Sequence, residues 1–365
     1  MIDARLRKNL DYTLVAITLA VVALGIVTLY SVTRDNPARF YQKQLFFFVI
    51  GIAGMVGATT IDYTRLSRFT NSLYVINILL LLFVIKFSHS VKGSTRWINF
   101  GVFQFQPSEF AKIIMIVCLA VYLNQRQERM KELPVLLGSF AYLAVPAFLI
   151  FKQPDLGTAL VLMAIWFGMT YIAGAKTLHL VGIVLVGMIL FTGMWKLDIL
   201  KPYQKNRLSA FIDPEWDPKD AGYHVLQSRI AVGSGQIWGK GIGHGTQAQG
   251  KFIPENHTDF IFTVIGEEGG FVFSSLLVLL YGGILLRGAM TMAQAEDNLG
   301  RLLATGVVAM YAFHIIVNIG MTIGIMPVTG VPLPLFSYGG SNLLLNMAAI
   351  GLLLGIGMRR HRLVF

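Results

Sequence analysis

Apolar residues follow one another almost without interruption in ten stretches, near 13–33, 42–60, 69–87, 108–124, 134–151, 156–174, 178–197, 260–286, 302–326 and 338–358. Within each stretch hydrophobicity is continuous and does not alternate with period two, so the elements are helices and not the strands of a membrane barrel. A helix of about 20 apolar residues crosses the hydrocarbon core of a bilayer. The pattern predicts an all-α integral membrane protein with about ten transmembrane helices, residues 1–365 forming a single polytopic domain. One polar interruption is long: a loop over 198–258, between helices seven and eight. Small residues in Gly51-Ile-Ala-Gly54 and Gly351-Leu-Leu-Leu-Gly355 predict close helix–helix approach.

Composition agrees and narrows the class. Hydrophobic residues make up 55% of the chain and charged residues 13%, against roughly 25% charged in soluble domains. That excludes a soluble enzyme, a disordered chain and a secreted disulfide scaffold. The single cysteine, Cys118, lies in an apolar run and reads as a small buried hydrophobe. The excess of 30 Lys+Arg over 19 Asp+Glu reads as a topology signal rather than as a nucleic-acid footprint. With ten spans both termini share one side. Placing them in the cytoplasm leaves about twice as many cations on that side as in the short loops opposite, in keeping with the positive-inside tendency. Loop 198–258 is then extracytoplasmic. The first apolar run is too long for a signal core and is expected to be a retained span.

Ionisable residues near the outer ends of spans mark the candidate chemistry, because they are costly at membrane depth. Arg96 and Trp97 precede Phe105-Gln-Pro-Ser-Glu-Phe-Ala-Lys112, where Pro107 opens the fourth span and Glu109 and Lys112 share a helix face. That pair reads equally as a self-neutralising ion pair and as part of a site. Asp155, in Gln153-Pro-Asp-Leu-Gly-Thr158, suits a helix cap or a site carboxylate. The long loop carries Lys205, Arg207, Arg229, Lys240 and Lys251, cations able to meet a diphosphate. Its stretch 223–232 has an apolar stripe suited to a surface helix, and its glycines between Gly233 and Gly245 read as a flexible hinge.

Ile253-Pro-Glu-Asn-His-Thr-Asp-Phe-Ile-Phe262 follows, with His257 and Asp259. The apolar stretch from Asp259 runs about 28 residues, roughly 42 Å as helix. Its first turns, through Glu268, therefore protrude or line an outward cavity. Asp259 reads as a helix cap or as a hydrated functional carboxylate. No second histidine stands at metal spacing, so a dedicated zinc site is not expected. His314 and Asn318 share one helix face and predict buried interhelical hydrogen bonds. The apolar, proline-rich run 326–341, with Ser337 and Ser341, predicts a groove wall of non-helical backbone.

The runs Lys92-Gly-Ser-Thr-Arg-Trp97, Phe105 to Lys112, Pro154-Asp-Leu-Gly-Thr158, His257-Thr-Asp-Phe-Ile-Phe262 and Gly330 to Ser341, in this order, resemble the SEDS family (shape, elongation, division and sporulation) along nearly the whole chain. Gly222-Tyr-His and His244-Gly-Thr-Gln-Ala-Gln249 resemble its elongation branch. The stretch before Asp259 departs from the usual pattern by carrying Lys251.

The resemblance implies a peptidoglycan glycosyltransferase. It would polymerise lipid II on the outer face of the bacterial cytoplasmic membrane, paired with a class B penicillin-binding protein and surrounded by membrane lipids. It implies an essential Asp259 and roles in activity for Glu109, Lys112 and Asp155. On that reading Asp259 is the general base on a sugar hydroxyl. Arg96, Lys112 and Arg207 face the lipid diphosphate, with Lys251, His257, Ser337 and Ser341 in the substrate groove. A divalent cation, Mg or Mn, is a candidate cofactor. A lipid flippase or transporter and a non-catalytic scaffold remain the alternative readings.

Overall fold

The computed structural model describes residues 9–34, 36, 38–87, 96–99, 104–198, 202–213, 221–250, 252–253 and 255–359. Among the described residues, nine helices are long and apolar enough to cross a membrane, and a shorter apolar helix (Leu156–Ile172) stands at the tenth apolar stretch. They are α1 (Tyr12–Thr33), α2 (Phe40–Thr60), α3 (Thr70–Phe87), α4 (Pro107–Asn124), α5 (Leu133–Lys152), α6 (Leu156–Ile172) and α7 (Thr177–Lys196). Loop 198–258 adds α8 (Pro202–Ile212), α9 (Ala221–Ser234) and the single turn α10 (Thr246–Gln249). The last three spans are α11 (Ile261–Gln294), α12 (Asn298–Thr322) and α13 (Gly340–Met358). A two-residue antiparallel pair, β1 (Ile98–Asn99) with β2 (Gln104–Phe105), is the one strand pairing among the described residues.

The core lies between α4, α6, α12 and α13, whose residues are largely buried, whereas α7 buries only Leu180 and turns its apolar surface outward. Glycines let α2 and α13 touch. A methyl group at Gly351 would collide with the Met55 carbonyl oxygen, and one at Gly51 would lie 3.0 Å from Met347 Cγ. Gly54 and Gly57, in contrast, face open space.

Two features depart from the sequence expectations. Helix α11 breaks at Gly270 (φ 65°, ψ −161°), a backbone region that is essentially closed to other residues. From Phe271 to Gln294 the helix is about 36 Å long at 1.5 Å per residue, enough to cross the bilayer by itself. The preceding segment, which carries Glu267 and Glu268, is thus a separate half-helix.

The glycine-rich stretch of the loop is not a hinge. It docks backbone to backbone on the break: Lys240 N donates to Glu267 O (3.0 Å), Gly241 N to Glu268 O (2.9 Å), Phe271 N to Gln236 O (2.8 Å) and Val272 N to Ile237 O (3.1 Å). A Cβ at Gly235 or Gly239 would strike the main chain of that half-helix. Helix α9 likewise packs inward. Val225, Ser228 and Ala231 are buried and Ser228 Oγ bonds to Thr322 O, while Leu226 and Ile230 face out.

Candidate functional site

The proline-rich run between α12 and α13 is irregular backbone inside the bundle, and its carbonyls need donors. Three helices supply them: α12 twice, α11 and α2. Asn318 Nδ2 donates to Val331 O (2.7 Å), His314 Nδ1 to Pro332 O (2.9 Å), Tyr281 Oη to Pro334 O (2.6 Å) and Gln44 Nε2 to Ser337 O (3.1 Å). His314 Nε2 then accepts from Lys112 Nζ (3.1 Å), a tautomer assigned by the two partners. Lys112 also donates to Glu109 Oε2 (2.9 Å). Both members of that pair are buried, Lys112 completely. Its ammonium supports the loop from below and does not face a diphosphate.

Asn318 Nδ2 donates to a second carbonyl, that of Asp259 (2.8 Å). Asp259 ends a tight turn over 255–260. In it Glu255 takes a left-handed conformation (φ 56°), and Thr258 N and Phe260 N both donate to Glu255 O. The helix that follows is capped at Phe260 without a side-chain bond, so Asp259 is not its cap. The Asp259 carboxyl is half-buried, and no described residue donates a hydrogen bond to it. Desolvation, with the like charge of Glu255 and a smaller term from Asp155, outweighs the pull of Arg207 and Arg96 and raises its pKa to about 6.

Asp155 does cap α6, accepting from Thr158 N (3.2 Å). Its other oxygen accepts from Gln106 Nε2 and Ser108 Oγ, both at 3.3 Å. Arg96 reaches it at 3.7 Å and donates to the carbonyls of Gln153 and Pro154. Arg207 Nη1 reaches the Thr329 carbonyl at 3.4 Å. That carbonyl also lies against Gly157, and a Cβ on the adjoining Gly330 would stand 3.3 Å from Asp259 Oδ2. Thr329 and Gly330 thus lie between Asp155 and Asp259, with Arg207 against one end.

The other predicted groups tie down backbone beside this cluster. Ser337 Oγ is buried, donating to Thr258 O (2.7 Å) and accepting from Leu333 N (2.8 Å). Ser341 Oγ, also buried, donates to Gln104 O (3.1 Å) and accepts from Gln106 N (3.3 Å). Both hydroxyls tie segments together, and neither is open to a ligand. The His257 ring stacks on Phe40 at 4.7 Å, and its carbonyl accepts from Tyr338 N. Lys251 and residues 92–95 lie outside the described residues.

Glu255, Gln106 and Gln44 were not singled out from the sequence. Gln44 carried a usable signal, a polar side chain within the second apolar run. Among the described residues no three His, Cys, Asp or Glu side chains converge as a metal site.

The arrangement offers one carboxylate able to accept a proton near neutral pH, two guanidinium groups able to hold a polyanion, and a rigid loop between them. Residues 9–362 match the FtsW/RodA/SpoVE family, described as cell cycle protein. Peptidoglycan glycosyltransferase MrdB of Escherichia coli K12 is 36% identical, over 98% of this chain and 96% of its own length. Stage V sporulation protein E of Bacillus subtilis is also 36% identical, over 95% of this chain and 96% of its own. A chain in a solved peptidoglycan synthase complex, described in terms of coordinated polymerization and crosslinking, superposes with a TM-score of 0.80 at 32% identity, covering 97% of this chain and 99% of that one. With one family spanning nearly every residue, and relatives and a solved fold of matching length, this chain belongs to the FtsW/RodA/SpoVE family of membrane-spanning cell cycle proteins.

Proposed function

We propose that this chain is a peptidoglycan glycosyltransferase that polymerises lipid II, with Asp259 as its general base. One observation carries the assignment of the base: the Asp259 carboxyl has a pKa raised to about 6 and receives no hydrogen bond from any described residue, while Arg207 and Arg96 act on it electrostatically. A carboxyl with a pKa near 6 and no donor among the described residues is suited to accept a proton.

The acceptor is the 4-hydroxyl of a lipid-linked GlcNAc. Its oxygen attacks the anomeric carbon of the donor and forms the new C–O bond. The bond from that carbon to the diphosphate breaks, and its electron pair leaves on the phosphate oxygen. The hydroxyl proton passes to Asp259. Attack opposite the leaving group inverts the anomeric centre. Diphosphate needs positive charge more than a proton, and Arg207 and Arg96 supply it. Asp155 orients Arg96, and the buried Glu109–Lys112–His314 chain holds the loop floor. A divalent cation would find one donor-free carboxylate here and take its remaining oxygens from the diphosphate and water. No step is assigned to it.

The active face is extracytoplasmic, with both termini in the cytoplasm of a bacterial inner membrane. The excess of cations on the terminal side supports this. The partner is a class B penicillin-binding transpeptidase; the likeness to a chain of a peptidoglycan synthase complex supports that reading. Gln249 and the surrounding His244-to-Gln249 run favour cell elongation over division or sporulation.

The test is polymerisation of purified lipid II by the purified protein, alone and with its transpeptidase. Glycan strands made by the native chain and absent with Asp259→Asn support the proposal. Lipid II crossing the bilayer without polymer would show a flippase, and inactivity in both assays with intact partner binding would show a scaffold.

A further inference from the structure

The glycine-rich part of the extracytoplasmic loop carries an apolar surface that the proposed chemistry does not use. Trp238 is 79% exposed, Phe271 is 69% exposed, and Ile237 and Ile242 are each more than half exposed. We propose that these four side chains form an interfacial anchor, seated in the lipid headgroup layer of the leaflet on the candidate-site side of the membrane.

Three observations favour lipid as the occupant. The patch is continuous with a lipid-facing surface. Phe271 begins the part of α11 that crosses the bilayer, and Phe273, Leu276 and Leu279 continue the exposed apolar face down that span.

The loop is also prepared for a medium that offers few hydrogen-bond partners. Main-chain donors at Lys240, Gly241, Phe271 and Val272 are all paired across the break. Its charge turns inward: Lys240 Nζ donates to Glu267 Oε1 (2.7 Å) and Thr246 Oγ1 (2.8 Å), and the amides of Gln247 and Ala248 close on the same carboxylate. Glu268 takes Ser31 Oγ at 2.6 Å and Gln249 Nε2 at 3.4 Å. Paired in this way, the loop meets a medium with few hydrogen-bond partners at little cost.

The exposed polar residues Gln236, His244 and Thr246 set the depth at the headgroups rather than among the acyl chains. An indole is the side chain best suited to that layer. The anchor fixes the height of the outer half-helix, and with it Asp259, above the hydrocarbon.

Nitroxide labels test this in the full-length protein reconstituted in phosphatidylcholine–phosphatidylglycerol vesicles. Cys118 is buried, so cysteines introduced as Ile237→Cys, Trp238→Cys and Ile242→Cys take the label, with Leu279→Cys as the mid-span reference. Expected is collision with oxygen exceeding collision with a water-soluble nickel chelate, at depths shallower than at Leu279. Nickel accessibility equal to that of a dissolved label overturns the proposal, whether water or a protein partner normally covers the patch. A second measurement keeps the native indole: quenching by brominated lipids should be lower in Trp238→Phe than in the unaltered chain. Equal quenching in the two overturns the proposal independently of any effect of labelling on folding.

Discussion

Asp259 is held in place by its backbone, and its carboxyl accepts no hydrogen bond from a described residue. Its raised pKa means that the folded chain binds the proton more tightly than the unfolded one, whose carboxyl titrates near the usual 3.8. Stability from this group is therefore full below pH 3.8 and lost as pH rises through about 6. Ionisation costs about 1 to 3 kcal/mol at neutral pH. Asp259→Asn should raise the thermal midpoint at pH 8, and the gain should close between pH 6 and pH 4; a calorimetric series in detergent reads both. The same titration sets an acidic limb on kcat/KM, rising to a plateau above pH 6 and measured by glycan synthesis.

Asn318 acts through the Asp259 main chain, so Asn318→Leu should lower kcat at least tenfold, about 1.4 kcal/mol in barrier, with a much smaller change in KM for lipid II. Removing one member of the buried ion pair, as in Lys112→Met, should cost about 3 to 5 kcal/mol, and Glu109→Gln with Lys112→Met together should recover much of it. Thermal unfolding of the three variants separates these. The i,i+3 spacing of Glu109 and Lys112 made their pairing legible, and Asp155 was legible as a cap. The direction in which Lys112 points was not, because spacing along one helix carries no record of which neighbour stands opposite. Ser337 and Ser341 were misjudged for the same reason: hydroxyls at a groove motif look alike whether they face a ligand or a carbonyl.

Among the elements, α11 shows where hydropathy stops being informative. Its residues form one apolar block, and a Gly-Gly step is common inside membrane helices. The excess length beyond a bilayer did point to a segment outside the span, and the structure divides the helix at Gly270. What could not be read was the partner that makes the division stable, since hydrogen bonds from loop 235–241 replace those the helix gives up. Gly270→Ala combines a forbidden backbone conformation with a clash against Gly239 N. It should lower stability by about 2 to 4 kcal/mol, whereas Gly54→Ala, facing open space, should be close to neutral. Paired melting curves give the comparison. The proline-rich loop was legible as buried irregular backbone, because apolar sequence without helix propensity has few other places to go.

For the molecule as a whole, the proposed function requires one orientation, with the loop that carries Ile212 outside the cell and the C-terminus inside. Ile212 is exposed at the end of α8. In intact cells Ile212→Cys should react with a membrane-impermeant maleimide, and a fluorescent protein fused at the C-terminus should mature in the cytoplasm. Unreactive Ile212→Cys together with a dark fusion would reverse the topology. The contact of Gly235 and Gly239 with the kinked span has a further consequence for how this chain tolerates change. In a growth-based scan of all substitutions, positions 235, 239 and 270 should be as intolerant as 259, although they perform no chemistry. No compensating exchange at a neighbouring site should rescue them, since main chain pressed on main chain leaves no side chain to trim.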